Sequence, residues 1–176
     1  MVIYFLRHAN AGERLSNPKK DEQRALDKLG IEQCGYVGRA LVALDVQVDG
    51  VISSPLKRAS QTASLVGNEL SYEGKLQFED ALRPEASFAE FRKLLSKYAK
   101  CESLMVVGHD PSLSEFLGRS ISEGGCEALV ELKKGAVAKV EMGRHSAALQ
   151  WCLTPKVLRE LYDAAATSSR PKTSRK

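Results

Sequence analysis

The sequence predicts a mainly parallel α/β fold in which helices cover both faces of a central sheet. Two uninterrupted apolar runs, Val2–Leu6 and Leu104–Val107, have the composition of strands that are buried on both faces. Segments with helical periodicity lie between the predicted strands, and this alternation is typical of a three-layer α/β/α sandwich. The chain has 176 residues, of which 43% are apolar and 27% are charged, so it is long enough for one domain with a substantial core.

The first half of the chain alternates between strand, loop and helix. The strand at Val2–Leu6 is followed by a long polar loop, Asn10–Gln23, and Asp27 is predicted to cap the next helix. A strand at Val51–Ser53 and a helix from Pro55 come next. The buried faces of these two helices are predicted to contain Cys34, Val37, Leu41 and Leu44 in the first, and Ala59, Ala63, Val66 and Leu70 in the second.

The second half continues this alternation and ends with a pair of strands. Its predicted elements are a strand at Lys75–Phe78, a helix capped by Ser87, the Leu104–Val107 strand, a helix from Pro111, strands at Val137–Met142 and Ala147–Leu153, and a helix from Pro155 to Ala164. The helix after Ser87 has an apolar stripe of Phe88, Phe91, Leu95 and Tyr98. His145 lies in the turn of the late strand pair and is interpreted as an exposed turn residue. We predict a single domain, residues 1–164, followed by a basic, disordered tail, residues 165–176.

The formal net charge of +4 comes from this tail. Arg170, Lys172, Arg175 and Lys176 supply +4, and the remaining 22 basic and 22 acidic residues cancel. A neutral domain argues against nucleic-acid binding.

Four cysteines, Cys34, Cys101, Cys126 and Cys152, have no C-x-x-C spacing and lie in or beside apolar stretches, which indicates reduced, packed thiols. The N-terminus does not have the pattern of a signal peptide, and no apolar run has the length of a membrane span. We therefore expect a cytoplasmic protein without a membrane partner.

Two predicted strands each end in a histidine. Arg7 and His8 follow the first strand, and His109 follows the strand that begins at Leu104. Ligands of open α/β sheets bind beyond the carboxyl ends of the strands, so these side chains are expected at one edge of the sheet. A third strand leads through Ser53-Ser54-Pro55 into a helix with Arg58 in its first turn, and helix N-termini with arginine bind anions. The sequence therefore predicts a cationic pocket of phosphate size. The alternative, a zinc site with two histidine ligands, is disfavoured by the cationic neighbours.

Three motifs carry a resemblance to a known family. They are Arg7-His8-Ala9, then Ser53-Ser54-Pro55 with Arg58-Ala59 and Gln61-Thr62, then Gly108-His109-Asp110-Pro111. In this order they resemble the histidine phosphatase superfamily, and most of all its small SixA-type phosphohistidine phosphatases. The Asp21–Gly30 segment with Arg24, Lys134-Gly135-Ala136 and Leu153-Thr154-Pro155 resembles the same group. The resemblance runs from Val2 to Leu161 and implies a phosphoglycerate-mutase-like sandwich.

The resemblance also implies a mechanism that needs no metal and no cofactor. His8 is the implied nucleophile, which takes the phosphoryl group and passes it to water. It must be neutral, with its other ring nitrogen bonded to a backbone carbonyl, which in relatives belongs to the next residue, here Ala9. Arg7, Arg58 and His109 are implied to bind the phosphoryl oxygens and stabilise their charge. His109 is expected to be protonated when phosphate is bound.

The roles of three further residues stay open. Superfamily members that cleave esters use a carboxylate after the third strand, where this chain has Glu79 and Asp80, while Ala81 stands where the SixA-type pattern has glutamate. Glu79 and Asp80 are therefore either the general acid or a solvated strand end. Arg24 either binds phosphate or forms a salt bridge to a loop acid such as Asp21.

The expected function is hydrolysis of phosphohistidine on a protein, with inorganic phosphate as a product. An N-phosphorylated imidazole needs less help from an acid than an ester does, and the short Glu79–Ala86 connection leaves no lid for a small metabolite. Histidine-containing phosphotransfer domains are the target class that the resemblance implies. The alternatives are a broad-specificity phosphomonoesterase for small phosphorylated metabolites and a non-catalytic phosphate-binding module.

Overall fold

The computed structural model describes residues 1–122, 128–143 and 146–168, and its elements follow the predicted order. The strands are β1 (Val2–Arg7), β2 (Gly50–Ser53), β3 (Gln77–Phe78), β4 (Ser103–Gly108), β5 (Val137–Met142) and β6 (Ala147–Leu153). The helices are α1 (Pro18–Glu22), α2 (Lys28–Ala43), α3 (Lys57–Glu69), α4 (Phe88–Lys97), α5 (Ser112–Ser120) and α6 (Pro155–Ser168). A short 3-10 helix covers Asp80–Leu82.

All the strands of this described part form one sheet, in the order β3-β2-β4-β1-β5-β6. Strands β3, β2, β4 and β1 are parallel, whereas β5 runs antiparallel to β1 and β6 antiparallel to β5. Strand β4 lies between β1 and β2, with Val107 opposite both Leu6 and Ser53. The carboxyl ends of β1, β4 and β2 therefore lie side by side. A mainly parallel sheet with antiparallel late strands is confirmed.

Helices pack on both faces of this sheet. Tyr4 and Leu6 of β1 belong to the core beneath α2, α3 and α6, whereas Ile3 and Phe5 belong to the core beneath α4 and α5. The Phe5 ring packs against Phe91 of α4, with 5.6 Å between the ring centroids. Burial of alternate residues on opposite faces explains why β1 has an uninterrupted apolar sequence. The predicted three-layer α/β/α sandwich is confirmed.

Two of the helices begin at the caps that the sequence predicts. The Asp27 carboxylate accepts a hydrogen bond of 2.8 Å from the backbone N–H of Gly30. Ser87 and Glu90 form a capping box at the start of α4, in which each side chain accepts from the backbone N–H of the other residue. These bonds satisfy N–H groups that have no acceptor within the helix.

Several boundaries differ from the prediction because local geometry overrides the pattern. The Asn10–Gln23 segment contains α1, whose Asn17 cap and Pro18 are a start signal that the sequence interpretation missed. Leu44 is 50% exposed, not buried, because it lies just beyond the end of α2. Strand β3 has two residues, not four, and both are exposed at the edge of the sheet.

The C-terminal helix and the cysteines also depart from expectation. Helix α6 continues to Ser168, so its predicted end at Ala164 is too early, and the boundary between domain and tail at residue 165 stays a prediction. Cys34, Cys101 and Cys152 are free thiols, but Cys152 is exposed instead of packed. His145, Cys126 and the four basic residues of the tail lie outside the described residues. Within the described ranges, no helix combines the length and apolar character that crossing a membrane requires.

Candidate active site

A cleft of about 850 Å³ lies where β1, β2 and β4 end. Residues that follow each of these strands line it, together with α1 and the segment that precedes α4. Of the predicted site residues, the cleft brings together Arg7, His8, Arg24, Arg58 and His109. The parallel register of β1 with β4 and of β4 with β2 causes this convergence, since it aligns the three strand ends at one edge.

The two histidines of the cleft lie side by side. Their ring centroids are 5.0 Å apart and the rings are inclined by 53°. The backbone N–H of His8 donates to the carbonyl of Gly108, at 3.0 Å, which joins the two strand ends directly. His8 is 6% exposed and His109 is 2% exposed, so both imidazoles are buried where they line the cleft.

The orientation of His8 is fixed by its own chain. Nδ1 of His8 lies 2.7 Å from the carbonyl oxygen of Ala9. A carbonyl only accepts, so neutral His8 carries its hydrogen on Nδ1 and keeps the lone pair on Nε2. The Ala9 N–H donates to Oγ1 of Thr62 at 3.1 Å, and that hydroxyl donates to the carbonyl of Arg58 at 2.8 Å. The sequence interpretation named the Ala9 carbonyl but not the role of Thr62, whose place in the second motif was the available signal.

Thr62 provides a test of this orientation. Replacing Thr62 by valine is expected to lower kcat about five- to tenfold with little change in KM, because one hydrogen bond is worth about 1 kcal/mol. Thr62→Ser keeps the hydroxyl and is expected to keep most of the activity. Steady-state kinetics on a phosphorylated substrate measure both, with thermal unfolding as the check on folding. Equal losses in the valine and serine variants would show that the hydroxyl does not support His8.

Asp21 holds the two arginines that enter the cleft from α3 and from the segment after α1. Nη1 of Arg58 donates to the Asp21 backbone carbonyl at 2.9 Å and lies 3.3 Å from its carboxylate. The carboxylate also accepts from Nε of Arg24 at 2.9 Å and from the Leu15 N–H at 2.8 Å. Burial acts to raise the pKa of the Asp21 carboxyl, but the bonds from Leu15 and Arg24 outweigh it and lower that pKa. The salt bridge considered for Arg24 is present, and its contact with phosphate stays a prediction.

Three side-chain nitrogens of the cleft residues have no hydrogen-bond partner. They are Nε of Arg7, Nε of Arg58 and Nδ1 of His109, all buried, and no group within the described part of the chain bonds them. A buried polar atom without a partner costs about 1–3 kcal/mol, so proteins rarely keep several together. On the same side chains, Nη1 of Arg7 donates to the Leu132 carbonyl at 2.6 Å, and Nε2 of His109 lies 2.9 Å from Oγ of Ser54. Cationic side chains with unused hydrogen-bonding capacity are typical of an anion site.

Burial keeps both imidazoles of the cleft neutral. Burial lowers the pKa of His8 to about 3, and the charges of Arg58 and Arg7 add to this effect, although the bond to the Ala9 carbonyl opposes it. Burial lowers the pKa of His109 to about 2, with His8 and the same two arginines contributing. His8 is therefore an unprotonated imidazole at neutral pH, as a nucleophile must be.

The lowered histidine pKa values predict loss of stability on acidification. Below pH ~6.5 the unfolded chain binds protons on His8 and His109, while the folded chain does not until pH falls towards about 3 and about 2. The free energy of unfolding should therefore fall by about 1.4 kcal/mol per pH unit for each fully buried histidine. Urea unfolding at pH 7.0 and 5.5 measures how far the free energy of unfolding falls. In His109→Gln, the part of that fall that comes from His8 and His109 is expected to be halved. An unchanged slope in that variant would contradict the assignment.

Glu79 and Asp80 do not reach the cleft. The Glu79 carboxylate is bonded to Nζ of Lys97 and lies 3.3 Å from the Tyr98 hydroxyl. Asp80 accepts from Nε of Arg83 at 2.7 Å, and its side chain is 83% exposed. The 3-10 helix at Asp80–Leu82 buries Leu82, to 1% exposure, and this leaves the two acids outside the residues that line the cleft. The structure therefore does not support either one as a proton donor there.

Other acids line the cleft instead. Asp110 lies 3.8 Å from Arg7, and Glu22 accepts from Nη1 of Arg83 at 3.0 Å. Glu85 also lines the cleft, is exposed, and has no ion pair among the described residues. The sequence interpretation missed Glu85, although its position directly after Arg83-Pro84 in the connection before α4 was a signal. Across the same residues, no cluster of three histidine, cysteine, aspartate or glutamate side chains is arranged to hold a metal ion.

These features define a class of protein: an α/β sandwich with a buried histidine pair and a cationic, anion-sized cleft at the carboxyl edge of its sheet. Residues 3–115 match the family described as histidine phosphatase superfamily (branch 1), and the chain belongs to that superfamily. The resemblance in the three motifs is thereby confirmed.

Comparison with individual proteins gives further relatives. The chain is 32% identical, over 81% of its length, to 86% of an uncharacterized protein of Picosynechococcus. It is 39% identical, over 40% of its length, to 24% of a mitochondrial serine/threonine-protein phosphatase, Pgam5, of Drosophila persimilis. Only a minor part of that longer relative is therefore matched.

Solved structures share the fold at low sequence identity. A protein histidine phosphatase SixA, solved with tungstate, superposes with a TM-score of 0.80 at 22% identity, covering 90% of this chain and 99% of that one. A putative SixA of Agrobacterium tumefaciens gives 0.74 at 22% identity, covering 88% and 98%. A phosphoglycerate mutase of Bacillus anthracis gives 0.71 at 14% identity, covering 91% and 96%. The fold is thus phosphoglycerate-mutase-like, as the resemblance implied.

Proposed function

We propose that this protein is a phosphatase that hydrolyses phosphohistidine on a protein, through a covalent phosphoryl group on His8. One observation carries the proposal: the ring of His8, with Nδ1 bonded to the Ala9 carbonyl, lies 5.0 Å from that of His109 in a cleft lined by Arg7 and Arg58. This arrangement supplies a nucleophile and the charge that a transferring phosphoryl group needs. A phosphate-binding module would need the donors but not a nitrogen nucleophile held in one orientation.

The proposed reaction has two displacements at phosphorus. In the first, the lone pair on Nε2 of His8 forms a bond to phosphorus, and the bond from phosphorus to the substrate imidazole breaks. The substrate nitrogen leaves with the bonding electrons and takes a proton from solvent. In the second, water attacks phosphorus, the bond to His8 breaks, and inorganic phosphate leaves. Cleavage of that bond returns the electron pair to Nε2, so His8 is neutral again, and the proton lost by the attacking water replaces the one taken from solvent in the first step.

The cations of the cleft are proposed to stabilise both transition states. Charge in phosphoryl transfer spreads over three equatorial oxygens, so positioned donors supply most of the catalysis. Arg7, Arg58 and His109 all line the cleft, and Nε of each arginine and Nδ1 of His109 have no other partner in the described residues. A bound dianion favours the imidazolium and opposes the burial that lowers the pKa of His109. Burial therefore favours neutral His109, and we propose that it becomes protonated in the complex with the phosphoryl group.

The carboxylates of the cleft favour phosphohistidine over esters. Asp21, Asp110 and Glu22 each lie within ion-pair distance of an arginine, so none of the three is a free carboxyl group held ready for a leaving oxygen. An imidazole leaving group has a pKa near neutrality, whereas an alkoxide must be protonated as it leaves. The SixA structure solved with tungstate is that of a protein histidine phosphatase, and this similarity supports the same substrate class.

A phosphomonoesterase is the second candidate, and Glu85 is the observation that favours it. Glu85 lines the cleft without an ion pair in the described residues, so it is the carboxyl best placed to protonate an ester oxygen. A putative α-ribazole-5′-phosphate phosphatase of Escherichia coli shares the fold at a TM-score of 0.69 and 19% identity.

Turnover of matched substrates decides between the two candidates. The protein is expected to dephosphorylate a phosphohistidine-carrying phosphotransfer domain at least about a hundredfold faster, by kcat/KM, than a sugar phosphate or an aryl phosphate. Glu85→Gln is expected to leave the phosphohistidine rate within about twofold. Faster turnover of the esters, together with their loss in Glu85→Gln, would establish the phosphomonoesterase instead.

A further inference from the structure

The cleft is much larger than one phosphate group. Its volume is about 850 Å³, and Arg7, Arg58 and the two histidines account for only part of its lining. The remaining wall comes from the segment after β1, from α1, from the connection before α4, and from Lys134 beside the start of β5. This outer wall must face the group that carries the phosphoryl, so its charges bear on which carriers bind.

Most cations of the cleft are neutralised by carboxylates. Arg58 and Arg24 share Asp21, and Arg7 lies 3.8 Å from Asp110. Arg83 is held by Glu22 at 3.0 Å and by Asp80 at 2.7 Å. Each of these guanidinium groups has a carboxylate within ion-pair distance, and Arg58 and Arg24 share theirs, so ion pairing reduces the charge that these arginines bring to the outer wall.

Arg14 and Lys134 are the exceptions within the described residues. Arg14 is exposed on the wall of the cleft and forms no ion pair there. Lys134 is half-buried, and its ammonium donates at 2.8 Å to the amide oxygen of Asn10, which carries no charge. Neither side chain forms an ion pair, and the lining carboxylate that likewise has none in the described residues is Glu85, in the connection before α4.

The backbone holds both residues in place. The N–H of Leu15, next to Arg14, donates to the Asp21 carboxylate at 2.8 Å. Gly135, next to Lys134, has a φ of +72° that favours glycine, and its N–H lies 3.2 Å from the Arg7 carbonyl and 3.1 Å from the His8 carbonyl. Burial and the charge of Arg24 lower the pKa of the Arg58 guanidinium, and the charge of Arg14 adds to that effect across the cleft.

We propose that Arg14 and Lys134 bind a second anionic group of the substrate, namely acidic side chains that flank the phosphohistidine in its protein. The inference rests on the proposed function, because it assigns the carrier that the same cleft accepts. Carboxylates beside the phosphorylated residue would approach Arg14 and Lys134, which form no ion pair in the described residues. The low dielectric of the cleft wall strengthens that attraction. Carriers with neutral or basic flanks would leave both charges without a partner.

Two matched phosphohistidine peptides test the proposal, one with Asp and Glu at the flanking positions and one with Asn and Gln. Wild-type protein is expected to show a kcat/KM about tenfold higher for the acidic peptide at low salt, and a smaller ratio at higher ionic strength. Arg14→Gln with Lys134→Gln is expected to bring the ratio close to one without weakening inhibition by inorganic phosphate. Arg92→Gln, an exposed residue of α4 outside the cleft, loses one charge of the same sign and should keep the ratio.

A pair of small substrates separates this inference from the proposed function. Phenyl phosphate and its carboxylated analogue report the second anion site even if phosphohistidine is not hydrolysed. A preference for the acidic peptide that disappears in the double variant supports the proposal. A ratio unchanged in the double variant, or a preference confined to the carboxylated phenyl phosphate, overturns it. Failure of the proposed function has a different signature: neither peptide is turned over, while the aryl phosphates are.

Discussion

Replacing His8 by alanine is expected to abolish turnover, with kcat falling by about a thousandfold or more, because no other group can accept the phosphoryl. No neighbouring group is expected to substitute. The only other imidazole at the cleft within the described residues is His109, whose Nε2 lies 2.9 Å from Oγ of Ser54 and which, if protonated beside a bound dianion as proposed, has no lone pair to attack phosphorus. Stopped reactions give the measurement: wild-type protein should retain an acid-labile, base-stable phosphoryl group, and His8→Ala none.

Phosphate binding is the control for the His8 variant. The anion is expected to be held chiefly by Arg7, Arg58 and His109, so His8→Ala should bind inorganic phosphate within about threefold of wild type. Circular dichroism of the variant checks that the fold is intact. Hydrolysis by a folded His8→Ala protein at more than a small fraction of the wild-type rate would rule out the covalent pathway.

Replacing Arg58 by methionine is expected to give the second largest loss, about a hundred- to a thousandfold in kcat/KM. Methionine has a similar length but no charge, so the transition state loses one positive group at 5% exposure, where water cannot replace it. The change also leaves the Asp21 carboxylate with Arg24 as its nearest cation. Steady-state kinetics and phosphate inhibition should both report the loss.

Arg58→Lys separates charge from geometry. Lysine restores the positive charge but not the planar guanidinium group. In Arg58, Nη1 of that group bonds Asp21, and Nε has no partner in the described residues. This variant should recover part of the activity, about tenfold above Arg58→Met. If Arg58→Met stays within about tenfold of wild type, the guanidinium is a structural partner of Asp21 and not a phosphoryl ligand.

The sequence predicts the fold well because its signals are local. The apolar runs in β1 and β4 identify strands buried on both faces, and the caps at Asp27 and Ser87 identify two helix starts. A histidine after each of two parallel strands is also a local signal, and the meeting of His8 with His109 follows once those strands are neighbours. The order of strands within the sheet is not local, since it depends on which helices cover which face.

The features that the sequence left open or did not indicate depend on side-chain direction and on hydrogen-bond partners. Glu79 and Asp80 are carboxylates in the segment where the resemblance implies a general acid. A 3-10 turn and bonds to Lys97 and Arg83 place them outside the residues that line the cleft. The bracing of Arg58 by Asp21 was missed because it depends on α1, within a segment that the sequence marks only as a polar loop. Leu44 was assigned to a buried face because periodicity continues past the residue where the helix ends.

The position of β4 between β1 and β2 has a consequence for how the protein acquires its activity. His8, Arg58 and His109 belong to segments that are remote along the chain, and they meet only when these parallel strands have paired. Parallel pairing is non-local and is completed late, after the entropy of long loop closures has been overcome. We therefore expect a nascent or partly folded chain to lack the assembled catalytic centre. Catalytic activity should appear only when the three strands have paired.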